Sequence, residues 1–285
     1  MTNVFGVDNS GSITSILNVC QGRLTLTSGT PVTTSDVTGA STIYFTPYNG
    51  NCLSLYNGSN WQTVQFDETS LALGTLTSGK NYDIFAYDNS GTIDLEMIEW
   101  TNDTTRATDL TMQDGVLIKS GDATRRYLGS FRTTSTTTTE DSNVNRFLFN
   151  NYNRRHRSLK KINTGTVWTY ATSTWRYSNN DSTQKINIIA GLSDVCFNIS
   201  VNGNISTTGS AGLIGIGWNN LTPLAPQALT NLGTGGNNSL MCTLYDNAVL
   251  GLNYFANVEY VGSGGHTATF LSNSLYTVIS GYVIM

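Results

Sequence analysis

Charge is what this sequence has least of. Asp, Glu, Lys and Arg make up 12% of its 285 residues, about half the share usual in a soluble domain. The residues that coat exposed helix faces, Glu, Lys, Ala and Leu, are too few for a mainly helical protein. No apolar run approaches the roughly 20 residues that cross a bilayer as a helix, so membrane insertion is not expected. Cys20, Cys52, Cys196 and Cys242 lie far apart, without CxxC or CxxH spacing. That spacing argues against a zinc site and for reduced thiols in a protein assembled in a cytoplasm. Residues 1–18 carry neither a basic n-region nor an apolar h-region, so export through a signal peptide is not expected.

Polar, uncharged residues fill the gap. The chain has 42 Thr, 28 Ser, 31 Asn and 28 Gly, together nearly half of it. Thr-, Tyr- and Val-bearing strands joined by Asn/Gly/Ser turns suit this composition. With 39% hydrophobic and 10% aromatic residues, a sizeable core can form, and disorder is excluded. The charge is also uneven. Ten of the 15 basic residues fall between Lys119 and Lys161, and none follows Lys185. From residue 186 on, the only acids are Asp194, Asp246 and Glu259. A surface so poor in charge suggests burial between subunits, and a homotrimer is the closed arrangement expected.

Four zones follow from the pattern. Residues 1–23 are short and loosely patterned, and are expected to be a docking arm. Residues 24–135 alternate short apolar runs with Thr-Ser-Gly, Tyr-Asn-Gly and Asp-Asn-Ser-Gly turns at about 8–12-residue spacing, the signature of a β module. Residues 136–164 form a basic connecting segment. In it Val144, Leu148, Tyr152 and His156 recur every four residues, which fits either a short helix or an extended strand pair. Residues 165–285 hold eight candidate strands, the number expected of a jelly roll. The fold class expected is therefore all-β, with two β-sandwich or jelly-roll-like modules joined by the basic segment.

Catalytic patterns are weak. There is no Gly-x-Ser-x-Gly elbow, and neither His156 nor His266 has an evident partner in sequence. Asp94, Glu96 and Glu99 share a strand, with Asp94 and Glu96 on one face, as a glycan-cutting pair would require. Solvated strand decoration explains them equally well. The Asp88-Asn-Ser-Gly start of a calcium loop is contradicted by alternating Ile93, Leu95 and Met97, which mark a hairpin. No catalytic residue, metal ligand or cofactor is assigned. Arg154, Arg155, Arg157, Lys160 and Lys161 are candidate docking or subunit contacts. A nucleic-acid role does not suit a chain with pI near 5.1. Among the aromatics, Trp175, Trp218 and Tyr254 are candidate glycan or partner contacts.

Several segments resemble a module common in proteins of tailed bacteriophages and prophages. They are Gly22-Arg-Leu-Thr-Leu-Thr-Ser-Gly-Thr-Pro-Val-Thr-Thr-Ser-Asp-Val-Thr, Tyr44-Phe-Thr-Pro-Tyr-Asn-Gly, Leu55-Tyr-Asn-Gly-Ser-Asn-Trp and Trp100-Thr-Asn-Asp-Thr-Thr-Arg-Ala-Thr. Further along come Gln113-Asp-Gly-Val, Arg125-Arg-Tyr-Leu-Gly-Ser-Phe-Arg-Thr-Thr, Asn151-Tyr-Asn-Arg and Trp168-Thr-Tyr-Ala-Thr-Ser-Thr-Trp-Arg. The resemblance covers most of residues 22–178 and thins beyond 200. It implies a virion component and carries over no catalytic residue. The expected function is a non-enzymatic tail fibre or spike that docks by its arm to other virion proteins and binds host surface polysaccharide by its C-terminal part. A capsid-decorating head fibre or cement protein, a glycan depolymerase tailspike, and a lectin-like module outside any phage are the alternatives.

Overall fold

The computed structural model describes residues 5–7, 13–16, 18–207, 212–223, 237–262, 264, 266–271 and 277–285. Regular structure among them is strand, apart from one 3-10 turn at Ser178–Asn180; no α-helix occurs among the described residues. The fold is all-β, as the composition requires. The repeated turns do what their residues suit them for. Asp88 Oδ1 accepts the amide of Gly91 at 2.6 Å, and Ser90 and Gly91 take φ of 56° and 92°. Two successive positive φ values close a tight hairpin whose twist matches its strands. The turn joins Asn81–Asn89 to its antiparallel partner Thr92–Glu99.

The N-terminal part holds a three-stranded sheet (Gly22–Thr25, Thr42–Pro47, Thr69–Ala72) and the hairpin Cys52–Tyr56/Trp61–Gln65. Beside them lies a six-stranded sheet centred on Asp122–Arg132, which pairs with Asn81–Asn89, Val116–Lys119 and Leu148–Asn150. The C-terminal part is two facing sheets. One is built on Cys196–Thr207, flanked by Asn237–Asn247 on one side and by Val278–Ile284 and Ala268–Leu271 on the other. The second is built on Gly251–Val261, with Gly212–Trp218 on one side and Lys185–Ala190 and Arg176–Tyr177 on the other. Cys196–Thr207 shows strict alternation: Phe197, Ile199, Val201 and Ile205 are buried, while Asn198, Ser200, Asn202 and Asn204 lie between them, half-exposed. The inward set joins Ile186, Ile188, Ile214, Ile216, Phe255 and Val283 in one core. Each such side chain contributes about 1.5–3 kcal/mol by leaving water.

The six-stranded sheet is a wall shared by two cores. Ile84, Ala86, Leu128 and Leu148 point into the N-terminal core. Their neighbours in sequence, Phe85, Tyr127 and Phe149, point into the C-terminal one. Period-two geometry explains this: adjacent residues of a strand face opposite ways.

The segment 136–164 forms strands, not a helix. It supplies Thr139–Asp141, Asn145–Arg146, Leu148–Asn150 and His156–Ile162 to three different sheets. A four-residue spacing is also an even spacing, so the same residues fit one face of extended chain. Phe147, Leu148 and Phe149 are buried in succession, which no one-sided helix permits. Of the expected docking arm, residues 1–4, 8–12 and 17 lie outside the described residues. Of residues 1–23 the structure shows the antiparallel pair Phe5–Val7 and Ile13–Ile16, and residues 18–23 built into the N-terminal module. There Gln21 N donates to Cys52 O at 2.9 Å, and the buried Arg126 donates to Val19 O and Asn18 Oδ1.

Two glycines and an ion pair close the seam between the parts. Arg106 Nε meets Asp83 Oδ2 at 2.7 Å, both side chains being buried. Its guanidinium also donates to Tyr127 Oη and to Gly191 O of the C-terminal part. A Cβ on Gly191 would stand 2.3 Å from the Tyr127 hydroxyl. One on Gly251, which has φ of 95°, would stand 1.9 Å from Asp103 O. Backbone must pass this close, and only glycine permits it. Arg106→Ala leaves Asp83 buried and unpaired, and is expected to lower the unfolding free energy by about 3–5 kcal/mol, read from the shift of a urea denaturation midpoint.

Candidate functional site

The second C-terminal sheet carries a row of aromatic rings on its outer face. Phe255 and Val261 belong to the core, so Tyr254, Ala256, Val258 and Tyr260 project from the opposite side of the same strand. Alongside, Tyr177 pairs with Val258 and Lys185 with Ala256. Trp175, just before that strand, places its ring 5.1 Å from Tyr260. Lys185 Nζ lies 5.2 Å from the Tyr254 ring centre and 5.9 Å from that of Tyr177. On the far side stand Gly215 and Gly217, opposite Val258 and Ala256. Between the rings lie small residues, with Ala256 and Val258 fully buried, and the chain at Asn220 and Leu221 crosses over Gly217. The rings are those of Trp175, Tyr177, Tyr254 and Tyr260, all half-buried. From Tyr254 to Tyr260 the row runs about 20 Å at strand rise. Burial, followed by its contact with Tyr177, pushes the Tyr254 phenol up.

The rim is held by a buried acid. Glu259 accepts from Trp168 Nε1 at 2.8 Å, from Arg176 Nε at 2.7 Å and from the Asn179 amide at 3.3 Å. Arg176 in turn lies 3.7 Å over the Tyr170 ring, and Trp168 stacks on Phe270 at 5.5 Å. Burial raises the Glu259 carboxyl above its ordinary value, against the pull of Trp168 and Arg176. This cluster fixes the strand that carries Trp175 and Tyr177, and so sets the aromatic row.

Of the three aromatic candidates read from sequence, the structure brings two to this face. Trp175 and Tyr254 stand on it. Trp218 turns to the inner side, edge-on to Phe197 at 5.2 Å and stacked on Phe255 at 6.2 Å; its Nε1 donates to Asn253 Oδ1. Sequence reasoning missed Tyr260, Tyr177 and Lys185. Tyr260 was within reach, because it lies an even number of residues from Tyr254 on one strand.

The basic cluster divides by strand alternation. Arg155 and Lys160 are exposed, and Lys161 half-exposed. Arg154 is paired with Asp194 at 2.9 Å and lies over the Phe149 ring. Arg157 is turned inward: it meets Asp141 Oδ2 at 2.6 Å and donates to Thr33 O. Asp141 also holds Arg146 at 3.0 Å. Nearby Arg23 is lowered to about 10 by burial and by the neighbouring Arg157 charge.

The carboxylates of Thr92–Glu99 are each engaged. Glu96 is clamped by Lys119 at 2.6 Å and Arg125 at 2.7 Å. Asp94 accepts from Tyr87 Oη at 3.2 Å. Glu99 accepts from Tyr82 Oη at 2.6 Å, which with Thr77 lowers its pKa. His156 is exposed, its ring 4.8 Å from that of Tyr282. All four cysteines are free thiols.

No protein-family model matches this sequence, and no curated protein is similar to it. Among solved structures, the insecticidal delta-endotoxin Cry8Ea1 of Bacillus thuringiensis is 9% identical, over 87% of this chain and 49% of that one, with a TM-score of 0.27. The chain therefore spans about half the endotoxin's length. A structure of infectious bursal disease virus, Gx strain, is 10% identical over 88% of this chain and 75% of that one, at a TM-score of 0.27. T=1 particles derived from that virus give 13% identity, 95% and 76% coverage, and 0.27. Overlays this loose carry no function to this chain. The all-β architecture stands on its own strands.

The Glu259 shift has a readable consequence. A carboxyl whose folded pKa is raised above the unfolded value contributes stability below pH 4.5 that is lost as the pH rises through the folded value. Unfolding free energies of the wild type and Glu259→Gln, measured by denaturant across this range, are expected to differ in slope, with the wild type declining relative to the variant as pH rises.

Proposed function

We propose that this chain is a non-enzymatic surface protein of a bacteriophage virion, a trimeric tail fibre or spike assembled in the host cytoplasm, which holds host surface glycan on its C-terminal aromatic face. The observation that carries this reading is the row Trp175, Tyr177, Tyr254 and Tyr260 with small side chains between the rings. Flat rings on a half-wet face offer large apolar area at little conformational cost, with hydroxyls at the edge for hydrogen bonds. That is what a sugar, apolar on its C–H face and polar at its rim, demands. The sequence motifs of residues 22–178 support the virion assignment.

The action is binding and not turnover. The acids on Thr92–Glu99 are held by cations and phenols, far in sequence from the aromatic row. Self-association is supported by the middle of the first C-terminal sheet, where Asn198, Ser200, Asn202 and Asn204 face outward from Cys196–Thr207 without a charge, Lys160 standing two strands away on the same face. Such a face can be covered by another copy at low desolvation cost. Three copies multiply weak glycan contacts into avidity of about 10²-fold or more.

Purified protein incubated with host envelope polysaccharide is expected to stay on the polymer and leave its chain length unchanged. A Trp175→Ala, Tyr260→Ala double variant is expected to lose retention while still melting cooperatively, at a lower temperature than the wild type. A time-dependent rise in reducing ends would overturn the non-enzymatic reading. Light scattering is expected to give a trimer, and a stable monomer at micromolar concentration would remove that part.

A further inference from the structure

The aromatic face carries one cation, Lys185, that stands over rings rather than against a described acid. Lys185 is the last basic residue of the sequence. It is half-buried, yet among the described residues it makes no ion pair. The acids that could have served are occupied elsewhere. Glu259 is buried on the opposite side of its strand and bound to Arg176. Asp194 is paired with Arg154. Asp181, four residues away, accepts from Thr183 and Gln184. Asp246 belongs to the other sheet, opposite Phe197. The rings of Tyr177 and Tyr254 both lie within 6 Å of the Lys185 ammonium.

We infer that the glycan held on this face is acidic, and that Lys185 receives a sugar carboxylate while the flanking rings stack on the sugar. This rests on the proposed role of the aromatic row and names its ligand class. A cation over tyrosine faces keeps its charge at low cost, and it leaves the N–H donors on the solvent side open to an anion. The chemistry favours carboxylate over phosphate. A single ammonium on a flexible stem is one point charge, enough for a lone carboxylate, whereas a built phosphate site adds an Arg fork or a run of backbone amides to it. Neither adjoins Lys185: Arg176 is bound to Glu259, and the amides of Lys185–Ala190 run through a paired strand.

The test uses the full chain and uronic-acid and sialic-acid homopolymers, each beside its carboxyl-reduced, neutral counterpart. Affinities are measured by titration calorimetry at low and at high salt. The wild type is expected to prefer the acidic member of at least one pair by about fivefold at low salt, as an exposed ion pair allows, and to lose the preference at high salt. Lys185→Gln is expected to bind both members of that pair alike, at the level of the wild type on the neutral one. Trp175→Ala is expected to weaken both. Equal wild-type binding of acidic and neutral members, or a preference that survives in Lys185→Gln, overturns the acidic assignment alone. Binding of neither member in any pair overturns the glycan reading of the face as well. A panel of phosphate-bearing teichoic acid chains is expected to show no Lys185-dependent binding, and tight Lys185-dependent binding there would overturn the carboxylate assignment.

Discussion

Buried guanidinium groups hold this molecule together. Arg23, Arg126, Arg146 and Arg157 are each buried, as is the Arg106 side chain. An Arg has five N–H donors in a rigid fork, and a buried donor left unmade costs about 1–3 kcal/mol. The chain brings carbonyls and carboxylates to each guanidinium from far away, leaving Arg126 Nε as a buried donor without a partner among the described residues. Arg23 reaches Asn153 O and Met285 O. Arg126 reaches Val19 and Ser54 carbonyls. Arg157 reaches Thr33. In a sequence with so few charges, much of the positive charge is spent inside, as pins between loops that no strand ladder connects.

These pins work because the sheets leave little freedom around them. The six-stranded sheet faces a core on either side, so its strands cannot slip by one residue without turning Phe85 and Ile84 into each other's core. Register, the Asp83–Arg106 pair and the glycine contacts at Gly191 and Gly251 are consequently one constraint met in three ways. The aromatic face inherits that rigidity. Its strands descend from the same sheet that carries Gly251, and the Glu259 cluster locks the one short strand that would otherwise fray.

The strand-and-turn character is legible in the sequence because it depends on local chemistry. Asp88-Asn-Ser-Gly makes its turn from its own side chain and two positive φ values. Alternation in Cys196–Thr207 tells inside from outside without further help. Two things are not local. Tyr177 and Lys185 come beside Tyr254 only through pairing with a strand some 70 residues later in the chain, and no spacing rule encodes that meeting. The inward turn of Arg157 depends on Asp141 being opposite. A run of basic residues reads as one surface patch until pairing shows that its members point two ways. The helical option over Val144 to His156 fails for a related reason: four is a period that helix and strand share.

The seam also governs how such a chain can change over generations. Two β modules joined by a loose linker could be exchanged freely between relatives, each bringing its own binding surface. Here a donor C-terminal half would have to arrive with glycine where Tyr127 and Asp103 press in, and with a carbonyl at the height of the Arg106 fork. Recombination inside residues 136–164 would also divide strands among three sheets at once. A changed surface is therefore reached more cheaply by point substitution on the outer aromatic face, where Trp175, Tyr177 and Lys185 lie outside both cores, than by replacing the half that carries it.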